Sequence, residues 1–138
     1  MSDGSRAHVL VVDDRVDMAE AIADVLSERG YTATALSSAR FAIDRLRHDR
    51  VDAVVTELRL PDDGGLLVLD ASRRLDPTRP VIIMTSDAAI DRALLASGHG
   101  AYQYLIKPFR IRVLERVLES ALRDASRSGN GLTPRDGG

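Results

Sequence analysis

Five short apolar runs, each followed by a stretch with helical spacing, constrain this chain more than any other feature. His8-Val9-Leu10-Val11-Val12, Tyr31 to Leu36, Val51-Asp52-Ala53-Val54-Val55-Thr56, Val81-Ile82-Ile83-Met84 and Tyr102-Gln103-Tyr104-Leu105-Ile106 have the length and composition of strands. After the first, Met18, Ile22, Val25 and Leu26 predict a helix from about Val16 to Arg29, stopped by Gly30. Ser37 or Ser38 can cap a second helix that carries Phe41, Ala42, Ile43 and Leu46 and runs to about His48. A third begins at Gly65, carries Leu66, Leu67, Leu69, Ala71 and Leu75, and stops before Pro77, because proline disfavours helical geometry in its predecessor. Pro80 opens the fourth strand where it costs no ladder bond. Residues Ala88 to Ser97 predict a short fourth helix ended by Gly98-His99-Gly100, and Ile111 to about Ser126 a fifth. Strand and helix alternating five times imply a parallel sheet covered on both faces, since right-handed crossovers place helices between parallel strands.

The 138 residues fit one domain, expected over residues 1–126, with a polar, breaker-rich linker or flexible tail at 127–138. A formal charge of −2 supplies no basic field, so direct nucleic-acid binding and membrane-surface binding are not expected. The lack of cysteine rules out a disulfide frame and thiolate chemistry. No apolar stretch approaches the roughly 18 residues of a membrane span, and Met1-Ser2-Asp3-Gly4-Ser5 lacks a signal-peptide core. A cytoplasmic protein is the expectation.

The strand ends carry the chemistry. Asp13 and Asp14 follow the first strand, Glu57 ends the third, Thr85 and Ser86 follow the fourth, and Lys107 follows the fifth. In a sheet of order 2-1-3-4-5 these meet at the carboxyl edge, where open α/β sheets bind ligands. Three crowded carboxylates repel and need a proton, a cation or a basic partner. Their oxygens suit Mg²⁺, and Lys107, the only lysine of the chain, can supply positive charge instead. The Thr85 hydroxyl can donate to a phosphoryl or carboxylate oxygen. Each signal has an ordinary reading as well: a helix cap, a strand-end cap, a solvated loop, or codon bias that leaves a single lysine.

Taken together, Val11-Val12-Asp13-Asp14, Glu57-Leu58-Arg59-Leu60-Pro61 with Gly65, Thr85-Ser86, and Gly100-Ala101-Tyr102-Gln103-Tyr104-Leu105-Ile106-Lys107-Pro108-Phe109 resemble the receiver domain of two-component response regulators. The resemblance covers about residues 6 to 126 and implies the flavodoxin-like (βα)₅ three-layer sandwich. It further implies that Asp13 and Asp14 help hold Mg²⁺, with Glu57 and the Arg59 backbone carbonyl as the remaining protein ligands. An aspartate at the position of Glu57 would accept a phosphoryl group from a histidine kinase. Thr85 and Lys107 would bind its oxygens, and Tyr104 would turn inward as the switch completes. A buried core tyrosine is the plain alternative for Tyr104.

Glu57 departs from that pattern. One extra methylene moves the carboxylate outward by roughly 1.5 Å, and a misplacement of that size can cost about 10²-fold in a reaction that needs in-line geometry. Ordinary phosphorylation is therefore not expected, and Mg²⁺ binding is expected to be weak or absent. Two consequences stay open: Glu57 imitates a phosphoaspartate by reaching Lys107 and Thr85, or it pairs with Lys107 and leaves a docking module with no switch. Either way the chain acts as a non-enzymatic signalling module through a protein partner, whether output domain, kinase or another regulator. The fourth and fifth helices with the fifth strand, bearing Asp91, Arg92, Gln103, Arg112, Glu115, Arg116, Glu119 and Arg123, are the expected contact face and a candidate homodimer surface.

The rival class is a Mg²⁺-dependent phosphotransferase or phosphatase built on the strand-end carboxylates, which would need an aspartate nucleophile and room for a substrate cap. A flavin-binding protein of this fold would need an aromatic ligand loop, and none is present. His8, His48 and His99 do not share a metal-ligand spacing and are expected to be structural or exposed.

Overall fold

The computed structural model describes residues 6–87, 98 and 100–132. Its strands are β1 (His8–Val12), β2 (Thr32–Leu36), β3 (Ala53–Glu57), β4 (Val81–Thr85) and β5 (Gln103–Ile106). The helices between them are α1 (Val16–Glu28), α2 (Ala39–His48) and α3 (Gly64–Leu75), and a final helix spans Ile111–Leu132. The predicted fourth helix, Ala88 to Ser97, lies outside the described residues. All strands are parallel, in the order β2-β1-β3-β4-β5.

Strand alternation divides the core in two. Leu10, Val12, Val54, Ile83 and Tyr104 face Ala42 and Leu46 of α2 and Val68 and Leu69 of α3. Val9, Val11, Val55, Ile82, Met84 and Leu105 face Ile22 and Leu26 of α1 and Leu114 and Leu118 of the final helix. Adjacent residues therefore enter opposite layers, which is why the central strands are apolar without interruption.

Pairing fixes the upper edge. Val12 stands beside Thr56, Glu57 beside Met84, and Thr85 beside Ile106. One step beyond each pair come Asp13 against Glu57 and then Thr85 and Lys107, so register alone gathers the polar tips. Ser38 caps α2 by accepting the Phe41 N–H at 3.1 Å, which selects it over Ser37. A short 3-10 turn, Pro61–Asp63, precedes α3, whose entry presses close to β3. A Cβ on Gly65 would collide with the Leu58 carbonyl and lie 2.6 Å from the Glu57 carbonyl oxygen. Only glycine permits that approach without moving the segment that carries Glu57.

One expectation needs correction. The final helix does not end at about Ser126 but continues to Leu132, so residues 127–132 are helical. Ser128, Gly129 and Gly131 are poor helix formers, yet extending an existing helix gains a bond for each residue fixed, unlike nucleating one. The Arg59 side chain, 57% exposed, pairs with Asp87 at 3.1 Å. That partner lies 28 residues away and leaves no local signature. His8 is structural as expected: its N–H donates to Asp52 and its ring bonds to Arg50 O and Thr34 Oγ1. His99 lies outside the described residues.

Candidate functional site

Lys107 organises the carboxyl edge. Its Nζ donates to Glu57 Oε1 at 2.6 Å and to Asp13 Oδ2 at 2.7 Å. The Asp13 side chain is 1% exposed, that of Glu57 9% and that of Lys107 17%, so water screens these charges little. Burial on its own lowers the lysine pKa, but the hydrogen bonds and charges of Asp13 and Glu57 outweigh it and raise the pKa above the ordinary lysine range. The ammonium is the stable form.

Backbone donors complete both acids. Glu57 Oε2 accepts the Arg59 N–H at 2.8 Å, and Asp13 Oδ1 accepts the Arg15 N–H at 3.0 Å. Each carboxylate thus meets one ammonium and one amide, which holds it in a single orientation. The Lys107–Pro108 peptide that follows is cis.

Thr85 is buried at the neighbouring strand end, but its Oγ1 accepts the Asp87 N–H at 3.1 Å. Asp87 is also held by the Arg59 guanidinium at 3.1 Å. Glu57, Arg59, Asp87 and Thr85 therefore form a chain of contacts joining the loops after β3 and β4. The Asp87 N–H fixes Thr85 Oγ1 as an acceptor and leaves its hydroxyl proton available as a donor. Sequence reasoning missed the role of Asp87, although its place two residues after a strand-end threonine is where such a turn forms. Tyr104 points inward and is 7% exposed, packed with Ile83 and Val81 of the α2/α3 layer.

Asp14 is exposed and makes no ion pair with Lys107, which bonds Asp13 and Glu57. Among the described residues, no group of three His, Cys, Asp or Glu side chains is placed to hold a metal ion. As they stand, these residues do not fit a Mg²⁺ site: Lys107 already bridges the two buried carboxylates and supplies the positive charge they require.

The sequence and the fold of this chain are matched in known proteins. Residues 9–119 fit the family model described as response regulator receiver domain. The chain is 35% identical over 120 residues to the regulatory protein LuxO of Vibrio vulnificus, which covers 87% of this chain and 26% of that protein. It is 34% identical over 137 residues to the probable transcriptional regulatory protein TcrX of Mycobacterium tuberculosis, covering 99% of this chain and 56% of that one. The chain thus spans only a quarter to about half the length of these relatives. Among solved structures, a CheY-like receiver domain protein from Methanospirillum hungatei superposes with a TM-score of 0.83 over 90% of this chain, at 22% identity, which supports the fold. This chain belongs to the receiver-domain family of two-component response regulators, with a glutamate at the end of its third strand.

Proposed function

We propose that this receiver domain signals in a state set by Glu57 rather than by transfer of a phosphoryl group from a kinase. The observation that carries the reading is the full engagement of the Glu57 carboxylate, Oε1 by Lys107 and Oε2 by the Arg59 N–H. A nucleophilic carboxylate must turn a lone pair of one oxygen into line with the phosphorus. Here both oxygens are held, and the group projects one methylene further than an aspartate would. The domain then works by contact with a protein partner, an output domain, a kinase or another regulator, in the cytoplasm and without catalysis of its own. No helix among the described residues is long and apolar enough to cross a membrane, in keeping with that location. The face of β5 and the final helix, with exposed Gln103, Arg112 and Arg116, is the proposed contact surface and a candidate homodimer surface. Mg²⁺ binding at Asp13, Asp14, Glu57 and the Arg59 carbonyl is proposed to be weak, since it must compete with Lys107.

The test is incubation with a small acyl phosphate and Mg²⁺, followed by intact mass measurement. No adduct is expected on the wild type, and an acid-labile adduct mapped to Glu57 would overturn the reading. A phosphatase assay showing Mg²⁺-dependent turnover would overturn the non-enzymatic assignment.

A second reading has its own support: the inward Tyr104 matches the completed switch that the family resemblance implies, as a phosphoryl mimic would produce. Against it, the Glu57 carboxylate takes its hydrogen bonds from Lys107 and the Arg59 N–H, not from Thr85. Replacing Glu57 by Gln separates the two readings. Under mimicry the Tyr104 ring signals and partner affinity shift; under a fixed module they stay.

A further inference from the structure

Beside the acidic cluster lies a cavity of about 620 Å³ that the signalling role does not use. One wall is the edge of α1, with Met18, Ile22 and Val25, and the other is Phe109 and Ile111 at the entry to the final helix. Met18, Val25, Phe109 and Ile111 are all half-buried: Met18, Phe109 and Ile111 rest on the core with one side and leave the other to the cavity. One end of the trough closes on Asp14, Asp13 and Glu57. Volume and lining are those of a small-molecule site, mostly apolar with a few polar groups at one end.

Charge decides which molecule fits. Lys107 is held by Asp13 and Glu57 and Arg59 pairs with Asp87, while Arg15, 65% exposed and 3.7 Å from Asp17, is mostly in water. Counting these partners, five carboxylates face three cations, an excess of two negative charges. Asp14 makes no ion pair with any described residue and stands at the mouth. The Phe109 ring offers a face that attracts a cation.

We propose that this trough binds a small organic monocation with an aromatic or alkyl body, its ammonium against Asp14 and its body between α1 and Phe109. A monocation needs one carboxylate and leaves the Lys107 bridge intact, whereas a divalent metal must displace it. The proposal goes beyond the signalling role and does not depend on whether Glu57 imitates a phosphoryl group.

The test uses phenethylamine, with phenethyl alcohol and hydrocinnamate as neutral and anionic probes of similar size, titrated at low salt into the whole chain and followed by two-dimensional NMR. The amine is expected to saturate around the millimolar range, with shifts at Met18, Val25 and Phe109. The alcohol is expected to bind about fivefold more weakly, the worth of one solvent-exposed charge pair, and hydrocinnamate more weakly still. Asp14→Asn should reduce the amine to the affinity of the alcohol, and Ala21→Trp, which fills the rim from exposed α1, should abolish binding of both. Equal affinities of amine and alcohol overturn the proposal. So does an amine that fails to saturate, as when only a partner's side chain enters the trough, or one that binds Asp14→Asn unchanged.

Discussion

The two ends of the sheet each bury a cation, and they satisfy it in opposite ways. At the carboxyl edge, Lys107 lies between two carboxylates drawn from β1 and β3. At the amino edge Arg79, 9% exposed, donates to neutral acceptors, the Val51 carbonyl at 2.9 Å and Ser72 Oγ at 3.0 Å. The electrostatic consequences are also opposite. Burial lowers the Arg79 pKa, with Asp76 and Asp52 only partly opposing it, while the acids around Lys107 overcome burial and raise its pKa. The arginine binds α3 and the β4 entry to the start of β3, a fixed brace. The lysine holds together charges that would otherwise separate, so its removal changes what the site can bind as well as how firmly the domain folds.

The largest expected effect breaks the upper end. Lys107→Met leaves Asp13 and Glu57 facing each other without a cation and should cost about 3–5 kcal/mol of unfolding free energy in urea titration at neutral pH. The pH dependence sharpens this. A raised folded pKa means the stabilisation is complete below the unfolded lysine pKa of about 10.4 and fades as pH climbs through the still higher folded value. The gap between wild type and Lys107→Met should therefore be constant from pH 7 to 9 and narrow above about pH 10.4. A gap that widens there would mean the lysine is not held as an ammonium.

Next comes the lower end. Arg79→Met strands the Val51 carbonyl and the Ser72 hydroxyl and should cost about 2–3 kcal/mol, without altering the Lys107 side-chain signals in NMR spectra. If those signals move, the two ends are coupled and the contrast fails.

Gly65→Ala tests how the fold sets the site. The added methyl meets the Leu58 and Glu57 carbonyls, and the strain should cost about 1–3 kcal/mol and shift the Arg59 amide resonance as Glu57 moves. Smallest of all is the exposed Arg29–Glu115 pair, 3.0 Å apart with the arginine 57% exposed. Arg29→Ala should change stability by less than about 1 kcal/mol, and a larger loss would show that distance from either end does not govern these costs.

Much of the upper end was legible because it is written locally. Asp13, Glu57, Thr85 and Lys107 each terminate or follow an apolar strand, and parallel register then aligns strand ends whatever the loops do. A cap at Ser37 or Ser38 could be read from the place of the pair before an amphipathic stretch, and the structure selects Ser38. The brace at the lower end was not legible, since Arg79 sits in a turn among many arginines and its acceptor Val51 lies 28 residues earlier. The Arg59–Asp87 pair was hidden for the same reason, and with it the bond from the Asp87 N–H to Thr85 Oγ1. The final helix ran past its predicted end because extending a formed helix gains a bond for each residue fixed, a gain that weak helix formers do not cancel. Strand ends announce themselves in sequence; contacts between distant loops do not.

The central claim is that Lys107 and Glu57 act on each other directly, and a double-mutant cycle tests it most squarely. Unfolding free energies of the wild type, Lys107→Met, Glu57→Gln and the double variant should give a coupling of about 1–3 kcal/mol, with the double variant recovering part of the loss of Lys107→Met alone. Additive losses, with no coupling between the two positions, would contradict the account.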